Sequence, residues 1–204
     1  MNRHTYPGGY EEYLTTQKAT TARKRRRQWA SEEDISYIAR ILVRRGYSTI
    51  SGLCHGTRSG QEQRWMMKHL RAEGSETGSV IGSELAPGKF DPLTFEHDFN
   101  TVREEWLGRF SFIYSNSFDH SFDPEVTLKT WGDQLHPKGV IVLEHTRMHV
   151  KPSKTDPTGG KIADYEALFK KTDFHHLDTL MFRPAGAPTM KRYFFIKPNA
   201  YHER

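Results

Sequence analysis

Cysteine is almost absent from this chain: Cys54 is the only one in 204 residues. A single thiol excludes an internal disulfide framework and any cysteine-rich zinc module, and it fits a reducing compartment. Long apolar runs are missing too. No stretch approaches the roughly 18 residues of a membrane-spanning helix, and the N-terminus lacks the apolar segment of a secretory signal, so a cytoplasmic protein without membrane contact is expected. Charge of one sign is also scarce outside one place. The net charge of +5 is matched by Arg23, Lys24, Arg25, Arg26 and Arg27, and without them 25 basic residues face 25 acidic ones. No internal repeat is visible. The length allows one sizeable core but would cramp a dinucleotide domain joined to a separate substrate domain.

The basic run reads first as a solvated segment; its sharper reading, with Trp29 beside it, is a phosphate contact to RNA that adds attraction without sequence specificity. Residues 1 to 20 show no helical period and read as an arm or a substrate-side lid. This divides the chain into a flexible basic extension over 1–30 and a domain over 31–204. The domain opens on a helix over 31–46, where Ser31 and Asp34 have capping-box spacing and Ile35, Ile38, Ile41 and Leu42 share one face. Gly46 ends it, and Tyr47 to Ile50 lead into a first strand. Trp65, Met66, Met67 and Leu70 read as core.

The stretch ISGLCHGTRSGQEQRW, residues 50 to 65, reads as strand, turn and helix start. Gly52, Gly56 and Gly60 crowd the turn, and Ser59 with Glu62 has the spacing of a capping box. Backbone can approach a ligand closely at such a turn, and the helix end favours electron-rich groups. Further apolar runs follow, each breaking into polar residues: 79–85 through Glu84, 92–99 through Asp98, 109–118 through Ser115, Asn116 and Ser117, and 139–146 through Glu144 and His145. Helices are expected at 59–70, 100–107 and 123–135, the last opened by Asp123 and Pro124. Alternating strands and helices imply a mostly parallel sheet covered on both faces, with ligands beyond the carboxyl ends of the strands.

This order of residues resembles the class I S-adenosylmethionine-dependent methyltransferases. The resemblance implies a Rossmann-like α/β fold with a mostly parallel seven-stranded sheet, helices on both faces and an antiparallel C-terminal strand. LDTLMFRP (177–184) and MKRYFFIKP (190–198), joined by the AGAP turn, would be strands six and seven. It also implies S-adenosyl-L-methionine as cofactor. The turn GLCHGTRSG, with Gly52, Cys54, His55, Gly56 and Ser59, would lie beside its methionine part, and Glu84 would bind the ribose hydroxyls. Asp98 and Phe99 would meet the adenine, and the segment YSNSFDHSFDP, from Ser115 onward, would border the reaction. Two departures stand out. Cys54 and His55 replace the tighter glycine run of many members, and SNSFDHS lacks the Asn/Asp-Pro-Pro-Tyr/Phe motif of enzymes acting on adenine or glutamine amides.

Methyl transfer from an activated donor asks a protein to orient the partners and remove a proton. The candidates are His120 with Asp119, His145 with Glu144, and Asn116 as an orienting amide. His97, Asp98, Asp119, His120, Glu144 and His145 would share one rim and offer nitrogen and oxygen ligands, but their spacing matches no recognised metal motif and no metal is assigned. The lone His69 and His202 are set aside. The expected acceptor is a small-molecule hydroxyl or amine. The alternatives are an RNA methyltransferase and a noncatalytic cofactor-binding protein that holds RNA or a protein partner.

Overall fold

The computed structural model describes residues 1–46, 49–88, 91–186 and 190–199. Tyr47, Ser48, His202 and part of the AGAP turn lie outside them. In chain order the elements are β1 (Asn2–Arg3), α1 (Gly9–Lys24), α2 (Glu32–Arg44), β2 (Thr49–His55), α3 (Gln61–Ala72), β3 (Glu76–Glu84), β4 (Thr94–Glu96) and β5 (Phe110–Ser115). Then come α4 (Pro124–Gln134), β6 (Leu135–His145), β7 (Thr158–Gly159), α5 (Ile162–Lys171), β8 (Phe174–Phe182) and β9 (Lys191–Pro198). Seven strands form one sheet in the order β4-β3-β2-β5-β6-β9-β8. Strands β2 to β6 run parallel, and β9 lies antiparallel between β6 and β8. This is the expected α/β architecture with its antiparallel C-terminal strand.

Alternation along the strands gives the sheet two cores. In β5, Ile113 packs with Trp131 of α4 and Phe169 of α5, while Phe112 and Tyr114 join Ile35, Ile38 and Leu42 of α2. Each such fully buried side chain contributes roughly 1.5–3 kcal/mol of burial. The Ser31–Asp34 capping box of α2 forms, and Asp123 caps α4 by accepting from the Glu125 and Val126 backbones, with Pro124 in the first turn. Chain order reverses between β2 and β5: the chain leaves β2 outward through β3 and β4, then returns to pair β5 on the other side of β2. A crevice at the strands' carboxyl ends opens at such a switch point.

Four local expectations need correction. Residues 9–24 are helical despite the missing apolar period, because the buried face of α1 consists of Tyr13, Gln17 and Thr20, which a hydrophobic pattern does not register. The expected helix over 100–107 shrinks to a single 3-10 turn, Glu104–Trp106. Asp98 there holds a tight turn, accepting from the Asn100 N–H at 2.9 Å, and the buried Trp106 anchors the loop. Strand β4 stops at Glu96, so Asp98 follows the strand and does not end it. Finally, α3 starts after Gly60 (φ 73°) with no side-chain cap. Glu62 instead accepts from Thr57 Oγ1 at 3.0 Å and Gln28 Nε2 at 2.8 Å, and Ser59 donates to Gln28 Oε1 at 3.3 Å.

Candidate active site

The ends of β2 and β5 meet where Ser115 Oγ donates to the His55 carbonyl at 3.0 Å and Ser117 Oγ to that of Gly56 at 3.3 Å. Gly56 has φ +70°, and a Cβ there would lie 2.6 Å from Ser117 Cβ, so glycine is required on both counts. Two residues on, Arg58 adopts φ 53° without being glycine, a conformation costing on the order of 1–3 kcal/mol that persists when the surroundings fix it. The fixing contacts are clear. Its N–H donates to Glu84 Oε2 at 2.9 Å, and its guanidinium donates to the Arg27 carbonyl at 2.7 Å. Glu84, 7% exposed at the end of β3, also accepts from the Leu85 N–H at 2.8 Å and from Thr21 Oγ1 at 3.3 Å.

Helix α1 lies across this crevice. Tyr10 donates its hydroxyl to Asp98, and Tyr13 donates to the His120 carbonyl at 3.0 Å. Asn100 ties these parts together, donating to the Tyr13 hydroxyl at 2.7 Å and to Asp98 at 2.6 Å while accepting from the Phe122 N–H and Thr127 Oγ1. Between Glu84, Phe99 and Gly56 on the sheet side and Tyr13, Gln17 and Thr21 on α1, about 30 Å³ is left, roughly the volume of one water molecule. A larger cavity of about 530 Å³ shares Arg58, Ser117 and His120 with it.

The larger cavity carries a cluster of acids and imidazoles. His120 Nε2 lies 3.4 Å from Asp156 Oδ1 and 4.0 Å from Asp119 Oδ1, and His149 Nε2 lies 3.7 Å from Asp119 Oδ2. His120 Nδ1 meets Gln17 Oε1 at 2.8 Å. An amide oxygen only accepts, so this nitrogen carries the hydrogen, and in the neutral form of the ring the lone pair is the one on Nε2. Burial raises the Asp156 carboxyl, but His120 when it is protonated, the Thr155 and Ser153 hydroxyls and Lys24 outweigh it and leave its pKa lowered. Asp119 is 6% exposed, and its Oδ1 accepts no hydrogen bond. Lys24, Arg27 and Arg58 line the same cavity, with Trp29 and Met148 as its larger apolar groups. Lys24 and Arg27 of the basic run therefore face the site.

The candidate residues divide. Gly56, Glu84, Phe99, Asn116, Asp119 and His120 line the two cavities, with Asp98 joined to them through Tyr10 and Asn100. Asn116 lies 3.5 Å from Glu62 through its Nδ2, and Ser115 is buried on the His55 carbonyl. Gly52 serves packing, since a Cβ there would fall 2.1 Å from the Phe112 ring. Cys54 sits fully buried against the α2–α3 side, where desolvation pushes its thiol pKa well up. His55 is locked between Ser83 Oγ at 2.7 Å and Gln134 Oε1 at 2.9 Å and stacks on Trp131, and burial lowers its pKa to about 3. Ser59 turns to Gln28.

The β6 pair is also structural. Glu144 bonds to Trp29 and lies 3.5 Å from Lys191, which in turn reaches Asp34 at 2.7 Å. His145 bonds to the Gly160 carbonyl at 3.0 Å and packs edge-on against Tyr165, with burial lowering its pKa. Among the described residues, neither Glu144 nor His145 lines either of these two cavities, whereas His120 lines both. The six-residue rim does not assemble as one centre either: His97 bonds to the Thr101 carbonyl and packs on Trp106. Sequence reasoning missed His149, Asp156, Arg58 and the α1 side chains. For His149 and Asp156 the only signal was their position after the fifth strand.

No protein-family model and no curated protein sequence matches the chain. Solved structures do. A Burkholderia thailandensis 1,6-didemethyltoxoflavin-N1-methyltransferase, with bound 1,6-didemethyltoxoflavin and S-adenosylhomocysteine, superposes with a TM-score of 0.71 at 14% identity, covering 96% of this chain and 94% of its own. The N-methyltransferase NodS from Bradyrhizobium japonicum WM9, with S-adenosylhomocysteine, gives 0.64 at 10% identity over 91% and 100%. Magnesium protoporphyrin IX methyltransferase from Synechocystis PCC 6803, with bound S-adenosylmethionine, gives 0.61 at 9% identity over 94% and 100%. With its strand order, reversed final pairing and near-complete superposition on these enzymes, the chain has the class I S-adenosylmethionine-dependent methyltransferase fold.

Proposed function

We propose that this protein transfers the methyl group of S-adenosylmethionine to a small-molecule nucleophile seated in the larger cavity. The observation that carries the reading is the Gly56–Arg58 turn: it is bonded to the strand-end carboxylate of Glu84, and its Arg58 lines a cavity of about 530 Å³ together with Ser117 and His120. That volume lies in the range of small-molecule pockets. The similarity to an enzyme crystallised with the compact acceptor 1,6-didemethyltoxoflavin supports the choice of acceptor class.

The residues fit the cofactor by chemistry. Glu84 offers carboxylate oxygens to the ribose hydroxyls, and Asp98 offers an acceptor to the adenine amine with Phe99 beside it. The cofactor, when bound, supplies a methyl group already activated on sulfur. The protein's part is to hold the nucleophile in line and take up its proton, for which the lone pair on His120 Nε2 is available beside Asp156. Thr21 on Glu84 and Tyr10 on Asp98 occupy acceptors the cofactor would use, so α1 acts as the lid over its site.

The test is calorimetry with S-adenosylhomocysteine, followed by a screen of small hydroxyl and amine compounds and short RNAs for S-adenosylhomocysteine release. Binding together with release from a small compound is expected. Absence of cofactor binding overturns the reading. Release only with RNA moves the assignment to an RNA methyltransferase, and binding without any release moves it to a noncatalytic module.

A further inference from the structure

We infer that Asp119, His120 and Asp156 form a site for one divalent transition-metal cation in the wall of the larger cavity, with His149 within reach as a fourth ligand. One ligand atom from each of the first three lies within 4.8 Å of the other two. Metal–ligand bonds of about 2.0–2.2 Å bring ligand atoms to roughly 3.3–4.4 Å of one another, so side-chain rotation of a fraction of an ångström closes the set. His149 Nε2, 3.7 Å from Asp119 Oδ2, adds a second imidazole to the same carboxylate.

Two independent observations point to a ligand here. Asp119 Oδ1 is buried and accepts no hydrogen bond, although buried carboxylate oxygens in folded proteins are as a rule satisfied. His120 donates its Nδ1–H to Gln17 Oε1, which orients the ring and leaves Nε2 toward the carboxylates. Metal-binding imidazoles characteristically have their other nitrogen held in this way. Imidazole nitrogen mixed with carboxylate oxygen suits zinc, manganese or iron(II) better than magnesium or calcium, which prefer oxygen alone.

A cation and a proton exclude one another on His120 Nε2, so an occupied site makes His120 a ligand. The proton acceptor is then solvent. An acceptor hydroxyl coordinated there has a lowered pKa and loses its proton to water; its oxygen forms the new bond to the methyl carbon as the carbon–sulfur bond breaks, and the cation is unchanged. The acceptor class becomes an oxygen nucleophile able to coordinate a metal. That extension rests on the methyl-transfer reading, whereas cation binding does not.

The experiment uses the full chain without an affinity tag, stripped with chelator and titrated with Zn²⁺ and Mn²⁺ by calorimetry, with Co²⁺ absorption as a spectroscopic readout. Binding of one equivalent is expected, with Co²⁺ bands in the visible. Asp119→Asn and Asp156→Asn should each weaken it by at least about tenfold, the loss expected when a site forfeits one ligand. Asp156 is partly exposed, so its variant keeps the test open if Asp119→Asn fails to fold. No stoichiometric binding, or binding unchanged in a folded variant, overturns the inference. S-adenosylhomocysteine titrated into the stripped protein tests the methyl-transfer reading apart from the metal, because cofactor binding does not require the cation.

Discussion

At the scale of single residues, Glu84 is the strand-end carboxylate on which the proposed cofactor site depends. Its carboxylate is held between two backbone N–H groups, from Arg58 and Leu85, which fix its orientation toward the crevice. Hydrogen bonds to a charged acceptor are worth about 1.5–3 kcal/mol each, so Glu84→Ala should weaken S-adenosylhomocysteine binding at least roughly tenfold by calorimetry. Unchanged affinity in a folded variant would reject the ribose role. His120 is the matching residue for turnover: His120→Ala should lower it by about 10² or more with cofactor affinity nearly intact, whether the ring takes a proton or holds a cation. A loss below about threefold would leave proximity alone as the source of rate. Glu84, Asp119 and His120 were legible in the sequence because each directly follows an apolar strand run or its short loop. His149 and Asp156 were not, since they lie in a segment after β6 whose order depends on contacts from far along the chain, such as Gln17 to the Thr155 carbonyl.

At the scale of elements, α1 is the least legible and the most consequential. Helix prediction from periodicity needs apolar residues facing a core, whereas the buried stripe here is Tyr13, Gln17 and Thr20, facing a polar crevice. The missing signal and the proposed lid role share a cause: the underside of α1 carries polar side chains that bond to Asp98, His120 and Glu84. If those contacts compete with the cofactor, Tyr10→Phe should speed association of S-adenosylhomocysteine by up to about tenfold, the equivalent of one hydrogen bond to a carboxylate. Stopped-flow fluorescence is suited to the measurement, because Trp29 lies in the cavity wall. An unchanged association rate would mean that α1 does not have to release Asp98. By contrast α2 was legible to the residue at its start, because its cap lies within its own sequence and its apolar face meets an apolar sheet.

At the scale of the whole molecule, the sheet was readable because each parallel strand is an apolar run that turns polar where it leaves the core, which is a one-dimensional record of a two-faced architecture. What no pattern recorded is that this core contains a neutral histidine. His55, between Ser83 and Gln134 and against Trp131, has its pKa brought down to about 3 by burial. A base whose folded pKa lies below its unfolded value of about 6.5 takes up a proton on unfolding at any pH between the two. Its contribution to stability is therefore fully present above about pH 6.5 and is lost as the pH falls toward the folded value. Between pH 7 and pH 5 the loss from this one group amounts to about 2 kcal/mol. His145, lowered in the same direction by burial, adds to it, while the buried Glu62 and Glu144, whose pKa values burial raises, work the opposite way as they protonate. The isolating measurement is a comparison of slopes: urea unfolding of the wild type and of His55→Gln at pH 7 and pH 5. The variant should start less stable, having lost the stacked ring, yet fall by about 2 kcal/mol less over the interval. Equal slopes would show that His55 titrates alike in the folded and unfolded chains and that the region beneath the Gly56 turn admits water.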